Sequence, residues 1–438
     1  MSQGSQTAVY VFGDGKTTTF VGADDMAYPV LGYVDNPNFS VSQMPPNMAA
    51  LLDEYARQIA WARKQSQKKE CTVQDQLETP AASSLMNESG TRPLASSKKR
   101  ISVNISPMLT TQWDQSSPYN DLAPMLNGKR TYSGCVATAM AQVLNWHKYP
   151  ARATGTKTYT WENGGNQTLS ADLSEKALDW NNMLANYSNG AGTTAQREAV
   201  AWLMKVCAYS VNTDYGGDSE SGSGATPSVV ARALNENFSY DAGAEYKYRC
   251  FYEETEWDNM LVESLQQNGP IIYAGFGSGG GHCFVFDGCK TDGTFHINWG
   301  WSGSSDGYFR TSSVNPSSLG AGGGTGGGFS DNQGAVFYMK RPAGGTRPDP
   351  FLGSAAGMNC SFSTSGTSIR ADFGVDNSAE LLYNRGSYKG NFGIKTQLKA
   401  ENGATYDTDI DYAELESGWV WKGMNLFYYT LPTVPDGV

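Results

Sequence analysis

A cysteine stands at the start of a predicted helix, directly after a glycine. The segment 132–141 reads Tyr-Ser-Gly-Cys-Val-Ala-Thr-Ala-Met-Ala, and apolar side chains at 136, 140, 143 and 144 repeat at helical spacing. The positive end of the helix dipole and the unpaired backbone N–H groups there favour a thiolate over a thiol. Because the thiolate is the nucleophilic form, the pattern indicates that Cys135 is a catalytic nucleophile. Taken alone, it is more typical of a small buried side chain.

The chain has three histidines, and His282 is the one placed to act as a base. It follows the glycines 279–281 and opens a predicted strand. Its distance along the chain from Cys135 fits an enzyme in which the cysteine comes first and the histidine lies on a distant strand. His296, in the next predicted strand, is the alternative base. His147 lies about 18 Å from Cys135 along the same helix and is predicted to be a partly exposed cation near the helix C-terminus.

Asn298 and Trp299 end the predicted strand that follows the strand of His282. A thiolate–imidazolium pair needs a group that orients the ring and a cover that excludes water. An asparagine next to a tryptophan can supply both. The alternative interpretation of this segment is a tryptophan-rich core hairpin.

Together these motifs resemble the streptopain family of papain-like cysteine endopeptidases. The matching segments follow one another in the family's order, at 113–120, 134–142, 282–288, 298–301, 306–309 and 319–329. Each segment alone is modest evidence, whereas their occurrence in this order over about 220 residues makes the resemblance specific.

The resemblance implies a role for each residue. Cys135 attacks the scissile carbonyl, and His282 holds the thiolate as an ion pair and then protonates the leaving amine. Gln115, which by itself is typical of a surface glutamine, stabilises the oxyanion together with the backbone N–H of Cys135. Trp299 flanks the histidine, and Asn298 has a supporting role. We therefore expect no cofactor and no metal.

Composition excludes several other classes of protein. The chain has 438 residues, which predicts two or three domains, and a net charge of −11. The one basic cluster is at 98–100, so we expect no nucleic-acid partner. No apolar run reaches the length of a transmembrane segment. The seven cysteines are scattered without the spacing of a disulfide framework or a zinc site.

Residues 1–105 are predicted to form an inhibitory prodomain. Short strands at 9–12, 19–22 and 30–33 precede a helix that opens at Pro46, and 24–33 is similar to the propeptide signature of the family. The polar segment 64–105 lacks periodicity and is predicted to be a solvated activation linker that is cut within 90–106. We expect that a signal peptide and part of the prosegment preceded residue 1.

Residues 106–341 are predicted to form the peptidase domain, with an α+β, papain-like fold. Predicted helices around Cys135 and at 195–211, 227–234 and 257–267 come first, and strands of an antiparallel, barrel-like sheet follow at 270–275, 282–287, 294–299 and 335–339. The glycine-rich segment 320–328 is predicted to be a mobile flap beside the cleft.

A linker at 342–350 is predicted to lead to an incomplete β-sandwich at 349–438. Four acidic residues there lack the spacing of a calcium loop and are predicted to lie on a solvated strand edge: Asp407, Asp409, Asp411 and Glu414.

The sequence therefore predicts a secreted or cell-surface zymogen of a cysteine endopeptidase. Its partners would be protein and peptide substrates and its own prodomain, which acts as an intramolecular inhibitor. Two alternatives stay open at this point. One is a papain-like transglutaminase or amidase, and the other is a non-catalytic adhesin or glycan-binding protein in which Cys135 is inert.

Overall fold

The computed structural model describes most of the chain. The described residues are 2–3, 6–36, 39–77, 101–217, 222–249, 252, 254–277, 280–312, 333–353, 358–365, 368–375, 383–395, 397–399, 405–407, 410–418 and 426–430. Helices and mainly antiparallel strands are both abundant, which confirms the predicted α+β class. The proposed flap at 320–328 and most of the cleavage window lie outside these residues.

The N-terminal region consists of short strands followed by one long helix. The elements are β1 (Ser2–Gln3), β2 (Gln6–Thr7), β3 (Val9–Gly13), β4 (Thr18–Gly22), β5 (Val30–Val34) and α1 (Pro46–Leu77). The last part of α1 occupies residues that were predicted to be linker. The chain has no glycine or proline between Trp61 and Pro80, so nothing in the sequence stops the helix at residue 64.

The middle of the chain supplies helices and two hairpins. In chain order these are β6 (Met125–Leu126), β7 (Lys129–Arg130), α2 (Cys135–His147), β8 (Thr156–Trp161), β9 (Gln167–Asp172), α3 (Thr194–Ser210) and α4 (Val230–Phe238). A capping box between Thr193 and Gln196 fixes the start of α3. The hairpin of β8 and β9 was not predicted from the sequence.

One large sheet dominates the structure. After β10 (Glu245–Tyr248) and α5 (Glu254–Asn268) come β11 (Ile271–Gly277), β12 (Gly280–Cys289), β13 (Phe295–Asn298), β14 (Gly307–Phe309) and β15 (Gln333–Phe337). The strand order is β10-β15-β11-β12-β13-β14-β5-β4-β3, with every neighbouring pair antiparallel. The sheet is open, with β10 and β3 as its edges among the described strands, and differs in this from the predicted barrel.

The N-terminal strands extend the sheet of the peptidase region and do not form a separate unit. The junction pairs Tyr308 with Tyr33 and Phe309 with Gly32. A Cβ atom at Gly32 would lie 2.3 Å from Cδ1 of Phe309, so only glycine lets the two strands approach this closely.

Each face of the sheet is covered by a hydrophobic core. One core joins α2, α3 and α4 to the side chains of Cys283 and Val285. The other joins α1 and α5 to Phe284 and Phe286, and it includes the buried Trp299. Successive residues of β12 therefore face opposite cores, as expected from the period of a strand.

The C-terminal region contains short antiparallel sheets. Its strands are β16 (Leu352–Gly353), β17 (Met358–Ser365), β18 (Ser368–Val375), β19 (Tyr383–Asn384), β20 (Gly390–Ile394), β21 (Gln397–Lys399), β22 (Thr405–Asp407), β23 (Asp411–Leu415) and β24 (Leu426–Thr430). They pair as β17-β18-β24, β16-β19, β20-β23 and β21-β22. The sandwich itself stays a prediction.

Two of the acidic residues of this region, Asp407 and Glu414, pair with lysines that lie next to strands. Lys395 Nζ lies 2.6 Å from Asp407 Oδ2, and Lys389 pairs with Glu414. Asp409 lies outside the described residues. These pairs favour the predicted solvated strand edge.

The predicted linker is tied to the peptidase region. The carboxylate of Asp241 accepts hydrogen bonds from the backbone N–H groups of Ala343 at 2.6 Å and Gly345 at 3.1 Å. The first part of 342–350 is therefore held in place, because a buried carboxylate satisfies its backbone donors.

Among the described helices, none is long and apolar enough to cross a membrane.

Candidate active site

Cys135 is the first residue of α2, as the sequence predicts. The preceding Gly134 has φ of 92°, a backbone conformation that favours glycine. The Gly134 carbonyl accepts hydrogen bonds from the backbone N–H and from Oγ1 of Thr138, both at 3.0 Å. The turn thus places Cys135 at the N-terminal end of the helix, and the carbonyl of Gly134 already has its hydrogen-bond donors.

The sulfur of Cys135 lies against the start of β12. Burial has the largest effect and raises the pKa of the Cys135 thiol, whereas the backbone N–H of Cys283 and those of the helix N-terminus act in the opposite direction. Burial wins in this conformation, so the thiol is protonated at neutral pH. The predicted thiolate is therefore not the form that this conformation favours.

His282 is the residue of β12 directly before Cys283, and it pairs with Gly275 of β11. Burial lowers the pKa of the His282 imidazole, which keeps the ring neutral. Because Cys283 faces the core of α2 and Phe284 faces the core of α1, the alternation of the strand directs His282 to the side of α1. Among the hydrogen bonds and ion pairs of the described residues, none joins His282 to Cys135.

Gln115 lies beside the turn that carries the cysteine. Its backbone carbonyl accepts a hydrogen bond from the N–H of Ser133 at 3.0 Å, two residues before Cys135. Its own N–H donates to Oδ1 of Asp114. The structure therefore places the backbone of Gln115 beside the turn that carries Cys135, and its role as oxyanion donor stays a prediction.

Trp299 is buried in the core on the α1 side of the sheet. Its Nε1 donates to the carbonyl of Ser305 at 2.8 Å, and its ring lies 4.9 Å from that of Phe284. Phe284 is two residues after His282 on the same face of β12. Trp299 thus lies on the side to which His282 points, in contact with the next side chain along that face.

Asn298 is buried and makes its hydrogen bonds away from His282. Its Nδ2 donates to the Thr111 carbonyl at 2.8 Å. Its Oδ1 accepts from Nε2 of Gln142 and from the N–H of Gly300, both at 3.0 Å. In this structure the asparagine joins three segments of the chain and does not orient the histidine.

The other two histidines have different surroundings. His296 Nδ1 lies 2.6 Å from Oδ1 of the buried Asp287, which is a partner other than Cys135. Burial lowers the pKa of His147 to about 4, and its ring packs edge-on against Trp146 and Tyr240. His147 is therefore neutral, and its prediction as a cation is wrong because the aromatic rings exclude water.

Helix α1 covers the sheet next to His282. Asn47 Nδ2 donates to the Trp299 carbonyl at 2.6 Å. A cleft at this contact is lined from α1 by Asn47, Ala50, Leu51 and Glu54, and from the sheet by Tyr273, Gly275, Phe284 and Gln333. Gly275, the strand partner of His282, thus lies directly under the helix.

Sequence reasoning missed Asn47, Gln142 and Thr111. A weak signal was present in two cases. Asn47 precedes the apolar stripe of α1, and Gln142 lies among the buried apolar residues of α2. A polar residue in such a position is expected to have a specific partner.

Within the described residues, no group of three or more His, Cys, Asp or Glu side chains is arranged to hold a metal.

Comparison with known proteins identifies the family. The model of the Peptidase C10 family matches residues 113–309, and that of the Spi protease inhibitor matches residues 1–59. Streptopain of Streptococcus pyogenes serotype M28 is 33% identical over 356 residues, which covers 77% of this chain and 81% of streptopain.

Two further relatives agree. The thiol protease/hemagglutinin PrtT of Porphyromonas gingivalis is 34% identical over 357 residues, covering 78% of this chain but 38% of PrtT. The structure of a prointerpain A fragment from Prevotella intermedia superposes with a TM-score of 0.58 at 31% identity, covering 77% of this chain and 98% of the fragment. The predicted resemblance is confirmed: the chain belongs to the Peptidase C10 family, the family of streptopain, and is the precursor of a cysteine peptidase.

Proposed function

We propose that the chain is the latent, secreted zymogen of an endopeptidase that cleaves proteins through Cys135 and His282. Residues 1–105 act as the inhibitory prodomain, 106–341 form the papain-like peptidase domain and 349–438 form the C-terminal β-sandwich. The observation that supports latency is the position of α1 over the face of the sheet that carries Phe284 and Trp299, with Asn47 bonded to the Trp299 carbonyl.

Latency follows from the protonation states and positions of the two groups. Burial keeps the thiol of Cys135 protonated and the ring of His282 neutral. Removal of α1 exposes this face of β12 to water and lets the start of the strand rearrange so that the imidazole of His282 reaches the sulfur of Cys135. An imidazole within hydrogen-bonding distance of the sulfur takes the thiol proton, which gives the thiolate–imidazolium pair.

The reaction then runs in two steps. The Cys135 thiolate attacks the carbonyl carbon of the substrate, and the resulting oxyanion accepts hydrogen bonds from Gln115 and from the backbone N–H of Cys135. The imidazolium of His282 gives its proton to the leaving amine, and a thioester remains on the sulfur. His282 next takes a proton from water, which attacks the thioester, releases the carboxylic acid and regenerates the thiolate–imidazolium pair.

The test compares the purified chain with its Cys135→Ala variant. We expect the first to shorten itself by about 100 residues and the second to stay intact. Iodoacetamide at pH 5 should alkylate Cys135 in the processed protein but not in the zymogen, because a paired thiolate reacts at that pH. Self-shortening by the variant, or equal labelling of both forms, would refute the proposal.

Product analysis separates hydrolysis from acyl transfer. A peptide substrate incubated with an added primary amine should yield free carboxyl ends. Amide products formed with the amine in preference to the acid would indicate a transglutaminase. The adhesin alternative is set aside because the family consists of cysteine peptidases.

A further inference from the structure

Three buried polar residues form a closed ring of hydrogen bonds behind the site. Oγ1 of Thr111 donates to Oε1 of Gln142 at 2.8 Å, and Nε2 of Gln142 donates to Oδ1 of Asn298 at 3.0 Å. Nδ2 of Asn298 donates to the carbonyl of Thr111 at 2.8 Å and closes the ring. All three residues are at most 3% exposed.

The ring joins three elements that belong to different parts of the site. Gln142 lies on α2, the helix that begins with Cys135. Asn298 ends β13, which pairs with the strand of His282. Thr111 lies four residues before Gln115. A closed ring of this kind fixes the distances among the three elements, since a shift of any one of them leaves buried polar atoms without partners.

A second set of bonds carries this restraint to Gln115. Past Asn298, the chain turns and the N–H of Ser302 donates to the carbonyl of Trp113 at 3.0 Å. Oγ of Ser302 donates to Oδ2 of Asp114 at 2.7 Å. The segment 111–114 is thus held against 298–302 along its length, and Gln115 follows at its end.

The asparagine has no acceptor capacity left for the histidine. Both acceptor positions of its Oδ1 are filled, by Gln142 and by the N–H of Gly300 at 3.0 Å. Its amide nitrogen already donates to Thr111. The contacts of Asn298 therefore lie on the oxyanion side of the site.

We infer that Thr111, Gln142 and Asn298 are positioning residues for the oxyanion hole, which set Gln115 in register with the N-terminal end of α2. This inference rests on the proposed function, because it presupposes that Gln115 and the N–H of Cys135 stabilise the oxyanion. It assigns Asn298 a different task from the orientation of His282.

The experiment uses the full-length chain after it has processed itself, with kinetics expressed per Cys135 thiol alkylated by iodoacetamide at pH 5, so that misfolded enzyme is not counted. Thr111→Val removes one hydroxyl at constant shape, and Gln142→Met removes the amide at similar volume. We expect each to lower kcat for a peptide amide about tenfold, with KM changed less than twofold.

The rate of iodoacetamide alkylation and its pH profile should not change, because alkylation needs the thiolate–imidazolium pair but no oxyanion hole. Thr111→Ser, which keeps the hydroxyl, should retain the kcat of the unmodified enzyme within twofold.

A double-mutant cycle gives the sharpest outcome. In a Gln115→Ala background, Thr111→Val should have no further effect on kcat, because the residue it positions is absent. Additive losses would overturn the inference, as would an alkylation pH profile that shifts together with kcat. Should Gln142→Met fail to fold, the cycle with the smaller change at Thr111 decides the question. Failure of the proposed function has a separate signature, namely peptide hydrolysis that survives Cys135→Ala.

Discussion

Asn47 of helix α1 donates a hydrogen bond from Nδ2 to the backbone carbonyl of Trp299, at 2.6 Å, inside the core between the helix and the sheet. Asn47 is 1% exposed. The bond joins the proposed prodomain to the residue that directly follows β13, the strand next to β12. Since a buried carbonyl without a donor costs free energy, this one contact favours the closed, latent arrangement.

Removal of the Asn47 side chain should therefore weaken latency. We expect Asn47→Ala to destabilise the closed form by about 1–3 kcal/mol, because the Trp299 carbonyl loses its donor. The variant should shorten itself after a shorter lag than the unmodified chain, which a time course on denaturing gels measures. Gln43→Ala, an exposed change just before the same helix, is the control. Equal lag times for Asn47→Ala and the control would contradict this role.

Gln115 should act on turnover and not on the thiol. Gln115→Ala in processed enzyme is expected to lower kcat by about 10²–10³, the usual effect of removing one oxyanion donor. Alkylation of Cys135 by iodoacetamide should proceed at an unchanged rate. Gln112→Ala removes an exposed glutamine from the same segment and serves as the matched control. A kcat within threefold of the control would exclude Gln115 as the donor.

Local patterns in the sequence were sufficient to predict the elements that carry the proposed catalytic residues. The strands β3, β4 and β5, the helix that begins at Cys135 and the strand that contains His282 lie where periodicity and glycine turns place them. These features depend on residues close in the chain, and period and turn chemistry report on such neighbours directly.

Contacts between distant segments were not predictable in this way. The pairing of Tyr308 with Tyr33 joins backbone groups far apart in sequence, and any strand edge offers the same groups. The side-chain amide of Asn298 is equally able to face a histidine or a glutamine. Its partner depends on the three-dimensional position of α2, about which the local pattern says nothing.

The carboxylate of Asp241 should hold the segment that leads to the C-terminal region against the peptidase region. Asp241→Ala removes the acceptor for the N–H groups of Gly243, Ala343 and Gly345. We expect a loss of about 1–3 kcal/mol and faster cleavage by added trypsin after Arg347, because freed backbone is more accessible. Glu162→Ala, an exposed change on the hairpin of β8 and β9, is the control. Identical digestion patterns for the two variants would show that Asp241 does not hold the segment.

The closed arrangement should weaken as pH rises from acid to neutral. Burial raises the pKa of Glu54, in the cleft under α1, to about 7, although Arg57 and Gln58 act in the opposite direction. Tyr273 and Gln333 face the same cleft from the sheet. Burial also raises the pKa values of Glu254, which accepts a hydrogen bond from Tyr28, and of Asp258 and Asp306.

The sign follows from proton linkage. Glu54 keeps its proton in the closed form up to about pH 7, whereas the exposed carboxyl releases it near pH 4.5. Protons are therefore lost on opening, so the closed form is most favoured below about pH 4.5 and loses this advantage as pH rises to about 7.

Thermal unfolding of the Cys135→Ala zymogen tests this dependence, since that variant cannot process itself. We expect a lower Tm at pH 7.5 than at pH 5. Glu54→Gln stays neutral throughout and should reduce the difference in Tm. The change in the free energy of unfolding between the two pH values should shrink by an amount on the order of 1–3 kcal/mol. Asp53→Asn changes the adjacent carboxylate on the same helix, at a more exposed position, and should leave the difference as it is. A Tm that rises toward pH 7.5, or a Glu54→Gln profile that follows the parent, would mean that the buried carboxyl does not control the closed form.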